Sequence, residues 1–357
     1  MEINSFFDKH PYSLIKDNKT RLLNKYFYEL TLYHYNNCMS YKKILDAIGY
    51  DSKVKKHYSE TPFLPVRLFK MFDMISVPKE NIVKTMTSSG TSGQEVSKIF
   101  LDKKTAFNQS KVLTKIVSTY IGSKRTPMII IDSPSVIKNR NMFSARGAGI
   151  LGFSIFGSKK IYALNDNMEL NIDELVKFLK LYANNRIFIF GFTFMIYQYF
   201  LMKLKELDIK IDLSNAVLIH GGGWKKLENQ SVNSSQFRKI IHKFTSITSV
   251  HDYYGMVEQT GSIFMECENG NMHAPIFSDI LIRRSNDFSL ADIGERGIIQ
   301  TLSMLPLSYP GHSLLTEDEG SFLGEDDCSC GRYGKYFKIF GRVKNAELRG
   351  CSDTYES

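Results

Sequence analysis

The amino-acid sequence predicts an α/β protein. Three short apolar runs have the length and composition of buried strands, at residues 128–132, 186–191 and 216–220, and helix-like stretches at 172–182 and 194–207 alternate with them. This alternation is typical of a sheet covered by helices. We therefore expect the middle of the chain to form an α/β body.

The segments on either side of this body have different patterns. Residues 81–262 are expected to form the α/β body, residues 263–340 a smaller β-rich subdomain with frequent Gly and Pro, and residues 341–357 a mobile tail. Residues 1–80 are expected to form a helical region. Apolar residues recur at helical spacing within it, namely Leu22, Leu23, Tyr26, Phe27, Leu30 and Tyr33.

Composition limits the classes of function. The chain has 357 residues, 43% of them hydrophobic, and a formal net charge of +9. The hydrophobic content is sufficient for a sizeable core, which argues against a disordered protein. The positive charge favours anionic partners, but the charged residues are spread along the chain. Because no zinc-finger, RNA-recognition or helix-turn-helix pattern is present, we expect no nucleic-acid partner.

Targeting signals and cysteines indicate the compartment. The start MEINSFFDKH lacks the pattern of a secretory leader. The most apolar stretch, 187–202, is interrupted by Gly191, Thr193 and Gln198 and is shorter than the ~20 residues that a membrane-crossing helix needs. We therefore predict no transmembrane segment and expect a cytoplasmic location. The five cysteines, an odd number, favour metal binding or catalysis over a disulfide framework.

The first candidate site is a segment rich in hydroxyl groups and glycine that begins at Thr87. Backbone N–H and hydroxyl groups in such a segment can surround a phosphate at close range. The Gly-Lys-Ser/Thr of a Walker loop is missing, and an ordinary surface loop is the alternative interpretation. The candidate phosphate-binding residues are Ser88, Ser89, Gly90, Thr91, Ser92 and Gly93.

Three glycines directly follow the apolar run AVLIH. Gly221, Gly222 and Gly223 are therefore expected at the carboxyl end of a strand, where α/β sheets usually bind ligands. A nucleotide base can lie against such exposed backbone. The alternative is a tight strand-to-helix turn in which His220 is a core histidine, and Trp224 is expected to serve packing.

A third segment supplies an aromatic ring, a flexible glycine and one carboxylate, in Tyr254, Gly255 and Glu258. These groups are suited to stacking on a base and to holding Mg²⁺ near phosphates. Taken alone, Glu258 is more typical of an ordinary surface glutamate. The two glycine-rich segments upstream favour the functional interpretation.

The order of the motifs points to a known family. The segments TSSGTSG, HGGGW and YGMVEQTG occur in this order and are followed by YPGHSLLTED, which ends at Asp318, and by GRVKNAELRGCS, which begins at Gly341. Together they resemble the acyl-adenylate-forming ligase superfamily and, more closely, its LuxE-type acyl-protein synthetase branch. The resemblance covers residues 60 to 357 and implies the large domain of that fold, with a truncated C-terminal tail.

The resemblance implies a role for each matching residue. The segment 88–93 would hold the ATP phosphates, Glu258 would help to bind Mg²⁺, and Asp318 would bind the ribose hydroxyls. The adenine would be framed by Gly221, Gly222, Gly223 and Tyr254. Arg342 would be the basic residue near the hinge between the large and small domains of such ligases, and Lys344 would occupy the hinge position.

The end of the chain departs from the general superfamily pattern. The sequence ends shortly after Gly350, so the domain that normally brings a catalytic lysine to the adenylate is expected to be missing. LuxE-type enzymes are acylated at a cysteine in this setting, which points to Cys351. A thiolate can attack an acyl-adenylate because AMP is a good leaving group, and Arg349 would favour the thiolate. An inert surface cysteine is the alternative.

The remaining cysteines predict a metal site. Three sulfurs and one imidazole complete a tetrahedral zinc site. Buried, uncoordinated thiols are the alternative interpretation, whereas phenylacetate–CoA ligase-like proteins have a similar arrangement and so favour zinc. The candidate ligands are Cys267, His273, Cys328 and Cys330. Cys38 is expected to be a core residue.

These motifs lead to one functional hypothesis. A long-chain fatty acid would react with ATP and Mg²⁺ to give acyl-AMP, and Cys351 would then take the acyl group as a thioester. The resemblance implies delivery to a protein partner such as a fatty-acid reductase. The alternatives are an acyl-CoA ligase that uses free coenzyme A, and a non-catalytic module that binds nucleotide or acyl groups.

Overall fold

The computed structural model describes residues 6–88, 96–137, 145–224 and 232–343. Its α-helices are α1 (Lys16–Asn37), α2 (Met39–Ala47), α3 (Leu68–Met71), α4 (Lys103–Ile121), α5 (Ala145–Ser154), α6 (Ile172–Leu181), α7 (Thr193–Met195), α8 (Met202–Glu206) and α9 (Ser234–Thr245). Its strands are β1 (Leu64–Pro65), β2 (Ile82–Thr87), β3 (Lys98–Asp102), β4 (Thr126–Ile131), β5 (Gly157–Tyr162), β6 (Ile187–Phe192), β7 (Ala216–Gly221), β8 (Ser249–Tyr254), β9 (Phe264–Glu266), β10 (Met272–His273), β11 (Ser278–Arg283), β12 (Arg296–Ser303), β13 (Ser313–Glu325) and β14 (Lys335–Arg342).

The chain forms two compact units. Unit 1 contains the described residues of Met1–Ile116 and Gly255–Glu347, and unit 2 contains those of Val117–Tyr254. Unit 1 is therefore built from two separate stretches of sequence. The boundaries predicted at residues 80, 262 and 340 define segments that are each continuous in sequence, whereas unit 1 combines two stretches. The functions assigned to those segments stay predictions.

Unit 2 is built on a parallel sheet with the strand order β8-β7-β6-β4-β5. Every residue of β6 and β7 is buried. A parallel strand covered on both faces requires a continuous apolar run, which explains the sequences IFIFGF and AVLIHG. The strands predicted at 128–132, 186–191 and 216–220 are confirmed as β4, β6 and β7.

The helices of unit 2 pack on this sheet through apolar faces. Helix α6 begins after Asn171, whose side chain accepts a hydrogen bond from the backbone N–H of Glu174 and so satisfies one free donor of the first turn. Its buried residues Leu175 and Phe178 join a core that also contains Ile189 and Leu218. The helix predicted at 172–182 is confirmed.

Unit 1 contains a mainly antiparallel sheet with the order β11-β12-β13-β14-β10-β9. Strand β1 pairs in parallel with β13, and β2 and β3 form a separate antiparallel pair. The prediction of a β-rich segment after residue 263 is confirmed by these elements, but β13, with 13 residues, is longer than the short strands expected. An α/β protein with a helical N-terminal region is thus the observed fold class.

Helix α1 confirms the amphipathic pattern at the N-terminus. Leu23, Phe27 and Leu30 are fully buried on one face, as the helical spacing predicts. Further along this helix, His34 stacks on His312 with ring centroids 4.9 Å apart, and Thr31 Oγ1 lies 3.0 Å from His312 Nε2. Burial lowers the pKa of His34 to about 3, so this ring is neutral at pH 7. The contacts fix the position of His312.

A buried ion triad holds the start of α1 against the sheet of unit 1. Lys19 Nζ lies 3.1 Å from Asp279 Oδ1, and Lys335 Nζ lies 2.8 Å from Asp279 Oδ2. Lys19 also donates to the carbonyl of Ala274, and Lys335 donates to the hydroxyl of Tyr58 and to the carbonyl of Ile280. Each charge therefore has hydrogen-bonding partners, as buried charges require.

None of the helices within the described ranges combines the length and the apolar character needed to span a membrane.

Candidate active-site and metal-binding residues

In unit 2, the three glycines lie where β7 ends. A Cβ at Gly221 would stand 2.3 Å from Cε1 of Tyr253, so only glycine permits the tyrosine ring to lie on this backbone. Gly222 has φ +78°, a conformation that residues with side chains rarely adopt. Within the part of the chain that the structure describes, a Cβ added at Gly223 would have no atom within 4 Å. The backbone at Gly221 and Gly222 is therefore closely packed against aromatic rings.

His220 is buried in the core, whereas the role of the three glycines that follow it stays a prediction. It is 6% exposed, its Nδ1 lies 3.0 Å from Thr193 Oγ1, and its ring contacts Phe237 edge-on. Burial, together with the charge of Arg238, lowers its pKa to about 3. This imidazole is therefore neutral at pH 7 and lies directly before the three glycines. Trp224 packs on Tyr197 and Phe237, as predicted.

Several aromatic residues of unit 2 pack against one another next to these glycines. Tyr253 packs on Phe153 with centroids 5.0 Å apart, and Phe153 stacks on Phe190 at 4.2 Å. A Cβ at Gly149 would lie 3.0 Å from Phe192 and 3.6 Å from the Tyr253 hydroxyl. The next residue, Tyr254, ends β8 and is only partly buried. The ring of Tyr253 therefore serves packing.

In unit 1, Glu258 lies in a 3-10 turn, Val257–Gln259, and is 2% exposed. Two hydrogen bonds hold this turn against the segment 309–312. The Tyr309 hydroxyl donates to the backbone carbonyl of Glu258 at 2.8 Å, and Gln259 Nε2 donates to the carbonyl of Gly311 at 2.8 Å. Burial and the nearby Glu258 raise the pKa of Tyr309, which therefore stays a hydrogen-bond donor.

Asp318 and Arg342 are brought together by strand pairing. They are direct partners in the register of β13 and β14, and Arg342 Nε lies 4.0 Å from Asp318 Oδ1. Arg342 Nη1 also lies 3.9 Å from Glu317 Oε2. Arg67, in the N-terminal region, pairs with the same Glu317 at 2.9 Å. Glu317 and Arg67 were not predicted as site residues, because only the fold shows that residues 250 positions apart are neighbours.

The four predicted zinc ligands converge in unit 1. The potential ligand atoms of Cys267, His273, Cys328 and Cys330 all lie within 4.8 Å of one another, and His273 Nε2 is 3.3 Å from Cys330 Sγ. Burial lowers the pKa of His273 to about 4, so its ring is neutral, the form that binds a metal. The three sulfurs and one nitrogen fit a tetrahedral zinc ion.

Several predicted residues can be placed only in part. Ser88 follows β2, and its Oγ accepts a hydrogen bond from the backbone N–H of Ser97 at 2.9 Å. Gly255 begins the second stretch of unit 1, and an added Cβ there would lie 3.0 Å from Ile263. The residues that lie outside the described ranges are Ser89, Gly90, Thr91, Ser92, Gly93, Lys344 and Cys351.

Comparison with solved structures identifies the fold. A 2-hydroxyisobutyryl-CoA ligase in the postadenylation state, in complex with 2-HIB-AMP, superimposes with a TM-score of 0.71 at 13% identity and covers 94% of this chain and 70% of its own. An open conformation of that enzyme with 2-HIB-AMP and CoA gives a TM-score of 0.70 at 14% identity, with 94% and 77% covered. The fold is that of the adenylate-forming ligases, as predicted.

Comparison of sequences identifies the family within that class. The LuxE acyl-protein synthetase family matches residues 2–357, and the chain belongs to this family. A long-chain-fatty-acid–luciferin-component ligase of Vibrio harveyi is 20% identical over 327 residues, covering 90% of this chain and 83% of the relative. Its counterpart in Aliivibrio fischeri is 24% identical over 324 residues, covering 85% and 79%. The predicted family and enzyme class, an acyl-protein synthetase, are confirmed.

Proposed function

We propose that this protein activates a long-chain fatty acid with ATP and then carries the acyl group on Cys351. In the first step a carboxylate oxygen attacks the α-phosphorus of ATP, which forms acyl-AMP and releases pyrophosphate. In the second step the Cys351 thiolate attacks the acyl carbonyl carbon and AMP leaves. The observation that carries this proposal is the LuxE family match, which extends over residues 2–357.

The first step requires groups that bind ATP. In unit 2 we assign the adenine to the backbone of Gly221–Gly223 and to the partly buried ring of Tyr254. In unit 1 we assign the ribose to Asp318, charge neutralisation to Arg342, and the phosphates to the segment that begins at Ser88. The register of β13 and β14 supports the pairing of Asp318 with Arg342.

Glu258 is our candidate ligand for Mg²⁺. Its carboxylate is almost fully buried, which is costly unless a cation or hydrogen-bond donors compensate the charge. The ion would neutralise developing charge on the phosphates during adenylation. The turn that carries Glu258 is held by Tyr309 and Gln259, so the carboxylate has a fixed position before ATP binds.

Radiolabelled fatty acid tests the second step. With labelled acid, ATP and Mg²⁺ and without coenzyme A, we expect hydroxylamine-sensitive label on the protein. Cys351→Ser should lose this label while acyl-adenylate formation, measured as ATP–pyrophosphate exchange, persists. A mutant that keeps the label would refute Cys351 as the acceptor.

Two outcomes would favour other functions. If label appears only on added coenzyme A, the protein is an acyl-CoA ligase and Cys351 is incidental. If no acid in a panel of graded chain length supports pyrophosphate exchange although ATP binds, the protein is a non-catalytic binding module. A purified fatty-acid reductase that becomes acylated by the labelled protein would establish the expected partner.

The cytoplasmic location stays a prediction.

We further propose that the cysteine and histidine cluster holds structural zinc. Three thiolates and one imidazole would fill all four positions of a tetrahedral ion, which leaves none for a substrate. The cluster joins β9, β10 and the turn before β14, so a bound ion would crosslink three segments of unit 1.

Metal analysis checks this site independently of activity. The purified protein should contain about one zinc per chain, and Cys328→Ser should reduce the zinc content and lower the thermal midpoint. Cys38→Ser is a matched control, because Cys38 is buried in a different cluster of unit 1 and should leave the zinc content unchanged. Zinc retained in Cys328→Ser, or absent from the wild type, would contradict a structural zinc site.

A further inference from the structure

A groove of about 470 Å³ lies on the surface of unit 1. One wall is formed by α1, through Asn24, Lys25, Tyr28 and Glu29. The opposite wall is formed by Lys55, Lys56 and His57 in the segment that follows α2. No residue of this groove belongs to the adenylation or zinc sites described above.

Hydrogen bonds hold the two walls together. Asn24 Oδ1 accepts from the backbone N–H of Tyr58 at 2.8 Å, and the Tyr28 hydroxyl donates to the carbonyl of Ser52 at 3.2 Å. Tyr58 is itself anchored in the core, where its hydroxyl accepts from Lys335. The segment that carries Lys55 and Lys56 is thus fixed against α1 at both ends, and the groove is a built feature of the fold.

The charge of the groove is strongly unbalanced. Lys25, Lys55 and Lys56 are exposed, and Glu29 is the single acid in the walls. Among the described residues, none of these three ammonium groups forms an ion pair with a carboxylate. Burial, with a contribution from Lys335, lowers the pKa of His57, so its ring is neutral at pH 7. Three positive charges therefore face one negative charge.

The groove also contains an aromatic ring, that of Tyr28. Lys55 Nζ lies 5.3 Å from the centre of the Tyr28 ring, a cation–π distance, and the ring is partly exposed. Lysines act as point charges and do not provide the bidentate fork with which arginine recognises a phosphate. A broad groove with separated point charges and an aromatic ring fits an extended acidic chain better than a single phosphate group.

We propose that this groove binds an acidic segment of the protein that accepts the acyl group. The inference rests on the proposed function, because an enzyme that carries its product as a thioester must dock the acceptor protein to release it. Complementary charge raises the rate of such encounters and selects the partner. Because the lysines are exposed, the interaction should weaken as salt screens charges beyond about 8 Å.

Peptide binding with charge-reversal variants tests the groove. We would measure binding of a fluorescent oligoglutamate peptide to the full chain, with oligolysine as the reference peptide. The triple variant Lys25→Glu/Lys55→Glu/Lys56→Glu is expected to bind at least about tenfold more weakly, through the loss of three attractive charges and the gain of three repulsive ones. The control Lys177→Glu/Lys180→Glu/Lys205→Glu changes the net charge equally at exposed lysines of unit 2 and should bind as the wild type does.

The outcomes separate this inference from the proposed function. Pyrophosphate exchange and self-labelling should be unchanged in the groove variant, and their absence from the wild type would refute the function and not the groove. Equal loss of peptide binding in both triple variants, or wild-type binding by the groove variant, would overturn the docking site. Stronger competition by pyrophosphate or single-stranded DNA than by unlabelled oligoglutamate would also overturn it, in favour of a small-anion or nucleic-acid site.

Discussion

Glu258→Gln is expected to slow fatty-acid-dependent ATP–pyrophosphate exchange by on the order of 10²-fold. Glutamine has the same shape but removes the negative charge that we assign to Mg²⁺. The turn should persist, because neither of its hydrogen bonds uses the Glu258 side chain. Tyr309 donates to the backbone carbonyl of residue 258, and the Gln259 side chain donates to the carbonyl of Gly311. The defect should therefore be catalytic, with little change in the thermal midpoint.

A magnesium titration makes this prediction specific. If Glu258 binds the ion, the variant should require a higher Mg²⁺ concentration for half-maximal exchange. Glu319→Gln is the matched control, because Glu319 lies on strand β13 of the same unit, is paired with Arg296, and has no assigned role in catalysis. Exchange at the wild-type rate in Glu258→Gln would remove this residue from the mechanism without affecting the family assignment.

The elements predicted best are those with local sequence patterns. Strands β6 and β7 are buried on both faces, and their sequences are continuous apolar runs. Helix α1 has one buried face, and its apolar residues recur at helical spacing. The stretch 194–207 was predicted as one helix, whereas the structure divides it into α7, a π-helical segment at Ile196–Leu201, and α8. Apolar spacing does not distinguish these helical forms.

The grouping of the four candidate metal ligands was also predictable, for a different reason. Cysteine and histidine are much rarer in this chain than charged residues. Cys267, His273, Cys328 and Cys330 therefore form a recognisable set, although His273 and Cys330 are separated by 57 positions. Charged residues are abundant, and the sequence offers no comparable way to select Glu317 as the partner of Arg67. The same reason explains why the triad of Lys19, Asp279 and Lys335 was not predicted.

This triad should be the most sensitive charged site for stability. Asp279→Asn is expected to lower the free energy of unfolding by about 3–5 kcal/mol, because it leaves the buried ammonium groups of Lys19 and Lys335 without a counter-charge. Burial alone would raise the pKa of Asp279, but Lys19 and Lys335 outweigh it and lower the pKa. The contribution of Asp279 is therefore present above its unfolded-state pKa, and it is lost as the pH falls through the lower folded-state pKa.

Urea denaturation followed by circular dichroism measures this effect. Asp46→Asn provides the matched control, because Asp46 pairs with Lys42 at 2.9 Å on the surface, where both side chains are solvated, and its loss should change the midpoint little. The variant Lys19→Met/Asp279→Leu/Lys335→Met should be less destabilised than Asp279→Asn, since it removes the buried charges together. If Asp279→Asn unfolds at the wild-type urea concentration, the triad does not hold α1 to the sheet. If the triple variant is the less stable of the two, packing and hydrogen bonds matter more at this site than charge balance.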